Sequence, residues 1–80
     1  MIPMKTLYVN QKEMFSVEYD EATHSYFIDV VAGGAGLYTM RVRLSEQETH
    51  EFEANPSSLV NLADRIRKWP DRFEERLQRL

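Results

Sequence analysis

With 80 residues, 42% of them hydrophobic and 29% charged, the chain suits one small folded domain with a thin core and does not read as disordered. It contains no cysteine, which excludes disulfides, thiolate metal sites and cysteine nucleophiles and suits a reducing compartment. The net charge of −3 argues against general nucleic-acid binding, and no segment approaches the roughly 20 apolar residues of a membrane span.

The start of the chain, MIPMKTLYVNQ, has no apolar run of the kind found in a secretory leader. A cytoplasmic protein without membrane attachment is therefore expected. Lys5–Val9 is short, apolar and β-prone, and Asn10-Gln11 offers a two-residue turn into a second strand over 12–20. In that strand Phe15, Val17 and Tyr19 alternate with Ser16, Glu18 and Asp20, the period of a half-buried strand. Asp20–His24 is a polar turn opened by an aspartate whose carboxylate can accept bonds from the amides just ahead.

Residues 25–31 and 37–44 read as a hairpin. Tyr26, Ile28 and Val30 share a face with Tyr38, Met40, Val42 and Leu44. Phe27, Asp29 and Val31 share the other with Thr39, Arg41 and Arg43. One face is apolar and one largely charged, as in an antiparallel sheet with one side packed. Ser45-Glu46-Gln47-Glu48 fits a capping box at the start of a helix over 46–54. Asn55-Pro56 starts a second helix, over 56–68, whose Leu59, Leu62, Ala63 and Ile66 form an apolar stripe. Trp69-Pro70 breaks it, and Phe73, Leu77 and Leu80 suggest a third helix over 71–79. The expected fold is α+β: a three- or four-stranded antiparallel meander followed by two or three helices packed on one face, all in a single domain over 1–80. The expected core joins Phe15, Val17, Tyr19, Tyr26, Ile28, Val30, Tyr38, Met40 and Val42 to Phe52, Leu59, Leu62, Ile66 and Trp69.

No chemical motif stands above its structural explanation. Ala32–Gly36 resembles a phosphate loop only in its glycines: Thr39 stands where GxGxxG needs its last glycine, and a strand rather than a helix follows. His24 and His50 are the only histidines. Glu46, His50 and Glu53 can share a helical face, but without an HExxH pattern they read as surface residues. Glu18 and Asp29 are expected beside Arg41 and Arg43 as cross-strand charge pairs rather than as an acid–base dyad. No serine sits in a nucleophile elbow. No catalytic residue, cofactor or metal site is assigned.

Charge is unevenly spread: residues 1–63 carry nine acidic and four basic side chains, and residues 64–80 carry four acidic and six basic. The expected function is a small non-enzymatic protein-interaction domain, of inhibitor, immunity or adaptor type. Its candidate partner-binding residues are Phe27, Asp29, Val31, Arg41 and Arg43 on the open sheet face, with Met14 beside them, and Glu48 and Glu51 on the acidic helix. The edge strand 5–9 offers backbone groups to a partner strand. A protein partner is expected, and a second copy of the chain is a further candidate. The first alternative is a nucleic-acid-associated regulator using Arg65, Arg67, Lys68, Arg72 and Arg76 around Trp69. The second is a small ligand-binding domain or an enzyme.

Overall fold

The computed structural model describes residues 4–80. One antiparallel sheet holds β1 (Met4–Asn10), β2 (Phe15–Asp20), β3 (Ser25–Ala32), β4 (Tyr38–Arg43) and β5 (Leu77–Arg79), in that spatial order. Between β4 and β5 lie α1 (Glu46–Ala54), a 3₁₀ turn at Pro56–Leu59, α2 (Val60–Lys68) and a 3₁₀ segment at Pro70–Arg76. The chain is thus α+β with an antiparallel sheet, but the sheet has five strands, not three or four.

The extra strand comes from the segment read as a third helix. Residues 70–76 wind tightly behind Pro70, bury Phe73, and then straighten. Leu77 pairs with Val42 and Arg79 with Met40. Apolar residues spaced by four and three fit a helix, but β4 would otherwise present a row of unpaired backbone groups. Pairing with that edge outweighs the weak helical pattern.

The first hairpin also differs from expectation. Asn10 pairs with Phe15 across a four-residue connection, Gln11–Met14, so the second strand starts at Phe15 rather than at 12. The Asn10 carboxamide accepts a bond from the Glu13 amide at 3.0 Å, and Met14 takes a left-handed φ of 58°. A bulge between Thr6 and Tyr8 shifts the register of β1 and sets Tyr8 opposite Val17. The Tyr8 ring then meets Phe15 and Phe52, with centroids 6.0 and 6.3 Å away.

The core is one cluster. Val17, Ile28, Val30 and Val42 from the sheet are fully buried with Ala63 and Ile66 from α2, and Phe15, Met40, Leu59 and Leu62 are nearly so. Phe52 of α1 and Phe73 join its margin, as does Leu44, just past β4. Three expected core residues lie outside it: Tyr19 is half-buried and not part of the cluster, Tyr38 is 46% exposed and Trp69 44%. Tyr38 ends up beside the glycine connection. Trp69, at the C-cap of α2, instead lies against Lys68 and Arg72, whose charged groups stand 5.6 and 4.8 Å from its ring.

Candidate interaction surface

The side chains of the sheet that point away from the cluster fall into rows fixed by the strand register. Glu18, Phe27 and Arg43 form one row across β2, β3 and β4; Ser16, Asp29 and Arg41 form the next. Val31 and Thr39 follow. Val9 extends the Ser16 row onto β1, and Gln78 extends it onto β5.

Within these rows the polar groups are held in place. Arg41 grips Asp29 with two parallel bonds, Nε to Oδ1 at 2.7 Å and Nη2 to Oδ2 at 2.8 Å. The hydrogen bond to Asp29 raises the guanidinium's already high pKa. The same guanidinium lies 5.8 Å from the Phe27 ring centroid. Glu18, only 9% exposed, takes no part in an ion pair among the described residues. Hydroxyls satisfy it instead: Thr6 Oγ1 donates at 2.7 Å and Ser16 Oγ at 2.8 Å. The expected pairing of both arginines with both carboxylates is therefore half right, because Arg43 forms no ion pair among the described residues.

At one end of this face is a shallow depression of about 360 Å³, whose lining includes the apolar Val9, Met14, Phe15 and Val31 and the polar Ser16, Asp29 and Thr39. Val9 and Met14 are 55% and 43% exposed. Sequence reasoning missed Val9 because the bulge in β1 obscures which residues share a face with Ser16.

The other candidate groups are placed differently. On α1, Glu48 closes the capping box: its amide donates to Ser45 Oγ at 3.2 Å, and its carboxylate accepts from the Ser45 amide at 2.8 Å. It also accepts from Arg76 Nη1 at 2.7 Å, and Arg76 in turn donates to the Arg43 carbonyl. Burial alone would raise the Glu48 carboxyl pKa, but the bonds from Arg76 and Ser45 outweigh it and hold the group below its ordinary value. Glu48 is thus a structural joint, while Glu51 stays exposed.

Two of the five expected nucleic-acid contacts are likewise occupied. Arg76 is engaged as described. Arg67 donates to the Val31 carbonyl at 2.9 Å, to the Met14 carbonyl at 2.9 Å and to the Glu13 carbonyl, and it also pairs with Asp64. Arg65, Lys68 and Arg72 form no ion pair among the described residues, and the last two flank Trp69.

His24, held at φ 54° with its Nδ1 2.9 Å from the Tyr19 hydroxyl, shares a shallow cleft with His50 and Glu46. Among the described residues, however, no three metal-ligating side chains come close enough to hold an ion. No helix among them is long and apolar enough to cross a membrane. The chain matches no protein-family model, and comparison with curated proteins and with solved structures finds no match.

Proposed function

We propose that this α+β domain is a small non-enzymatic interaction protein that binds a protein partner through the sheet face bearing Phe27, Asp29, Val31, Arg41 and Arg43. Leu59, Leu62, Ala63 and Ile66 share one buried cluster with Val17, Ile28, Val30 and Val42, which leaves the opposite sheet face for a partner. The observation that carries this reading is the combination on that face of an apolar depression at Val9, Met14 and Val31 with charged groups already fixed in register. Pre-ordered side chains lower the entropic cost of association. A cytoplasmic setting fits the cysteine-free composition.

The test is affinity capture with three versions of the chain. Phe27→Asp should lose the partner, while Glu51→Lys, on exposed α1, should keep it. Retention by Phe27→Asp with native circular dichroism would remove the sheet face from consideration.

Trp69 favours a second reading. An exposed indole flanked by Lys68 and Arg72 can stack on a base of single-stranded nucleic acid while the cations meet phosphates. Binding of a single-stranded oligonucleotide should then weaken with salt and fall on Trp69→Ala. No binding at low salt would end this reading.

A further inference from the structure

The open face carries a symmetry that selects one occupant. We propose that its partner is a second copy of this chain, packed face to face about a two-fold axis parallel to β3. This rests on the open face being the contact surface, as proposed above.

Strand β3 is the middle strand of five. A two-fold axis parallel to it, lying between two stacked sheets, places β2 of one copy over β4 of the other and leaves each residue in its own row. In the row Glu18–Phe27–Arg43, Glu18 then faces Arg43 of the second copy, Arg43 faces its Glu18, and Phe27 meets Phe27. Both charges lack an ion-pair partner within their own chain among the described residues. Each Glu18, a residue only 9% exposed whose carboxylate is satisfied by hydroxyls alone, gains one cation in the dimer, so the interface holds two such pairs. Asp29 faces Asp29, but each is already neutralised by its own Arg41.

The same operation matches apolar parts. Leu80, 61% exposed, donates its amide to the Thr39 carbonyl and stands two residues beyond Gln78 of the open face. The rotation carries Leu80 of the second copy to the β1 side, toward the depression at Val9, Met14 and Val31.

Stacked sheets keep their strands within about 30° of each other, so this matching is closest along the central strands. Five strands at about 4.8 Å and six residues at about 3.4 Å define a face of roughly 480 Å². Two such faces bury about 1,000 Å², the lower bound of a specific interface. The dimer is therefore a weak, reversible one.

Sedimentation equilibrium across the micromolar to millimolar range should show monomer–dimer exchange. Arg43→Glu should weaken the dimer by about tenfold or more, because it sets carboxylate against carboxylate twice. The double exchange Glu18→Lys, Arg43→Glu should restore much of the loss. Glu18 also receives two bonds within the chain, so a variant that does not touch it is needed. Phe27→Cys introduces the sole thiol, and a short bis-maleimide should then link two copies, whereas Glu51→Cys should not link. A chain that stays monomeric to millimolar concentration overturns the dimer. So does a dimer indifferent to Arg43→Glu and unlinked at Cys-substituted Phe27. If such a monomer still captures another protein in a manner lost on Phe27→Asp, only the identity of the partner has failed. If that capture is absent as well, the proposed function fails with it.

Discussion

Gly33 occupies a backbone position that no other residue type fits easily. Its φ is 109°, and a Cβ there would collide with the carbonyl oxygen of Gly36 and press on the Tyr38 ring. Gly34 and Gly36 have open space around the position of a Cβ. The three glycines that catch the eye as a phosphate cradle therefore differ in kind: one is required by the chain path, and two are not. Gly33→Ala should lower stability by about 1–3 kcal/mol through strain at a left-handed position. Gly34→Ala should stay within about 0.5 kcal/mol of the parent, as surface substitutions do. Urea denaturation of the two variants measures this directly, and equal losses would refute the distinction.

Among the elements, α2 does two jobs. One side supplies Leu62, Ala63 and Ile66 to the core; the other sends Arg67 to three backbone carbonyls at the β1–β2 connection and the end of β3. The fork of a guanidinium fits several acceptors at once, which an ammonium cannot do. Arg67→Ala should therefore cost about 1.5–3 kcal/mol, the range for bonds from a charged donor, and Arg67→Lys should recover only part of it. Equal stability of Arg67→Lys and the parent in urea would show that charge alone matters.

This contact also marks where the sequence becomes hard to read. Period-two alternation makes Val17, Ile28, Val30 and Val42 legible as core and Asp29 and Arg41 as neighbours, because side-chain faces follow directly from strand geometry. Arg67 resembles any other helical arginine, since its partners are main-chain carbonyls and those leave no trace in composition. Strand β5 was hidden for a related reason. Phe73, Leu77 and Leu80 satisfy a helical spacing, and only the open edge of β4, a tertiary fact, makes the extended form better. The bulge in β1 hid Val9 in the same way, by breaking the alternation on which the reading relied.

For the molecule as a whole, Glu48 is an acid-sensitive joint. Through Ser45 it caps α1, through Arg76 it holds the 3₁₀ segment, and Arg76 carries the link on to the end of β4. Its carboxyl pKa is lower in the folded chain than its ordinary value of 4.5. Protons therefore bind the unfolded chain more readily, and the stabilisation is fully present above the unfolded pKa. It is lost as pH falls through the folded-state value. The Glu48 contribution should be flat from neutrality to about pH 5 and decline below about pH 4.5. Glu48→Gln keeps a capping side chain but removes the charge. It should be less stable than the parent at neutral pH, and the difference should shrink as acid is added. Denaturation curves for both proteins at neutral and acidic pH test this, and a constant difference would exclude Glu48 as the source.

The order of the strands bears on how the chain assembles in time. Strands β1 to β4 each pair with their neighbour in sequence across short connections, so closing each hairpin costs little chain entropy. Strand β5 reaches β4 only after α1, α2 and both 3₁₀ segments have been laid down. This topology predicts that the four-stranded meander forms early and β5 docks late, so pulse-labelled hydrogen exchange should protect β2 and β3 before β5. Until it does, β4 is an unpaired edge in a half-made sheet, the kind of surface through which partly folded chains associate. The moment of greatest exposure in folding falls on a strand that, once folding is complete, has a neighbour on either side.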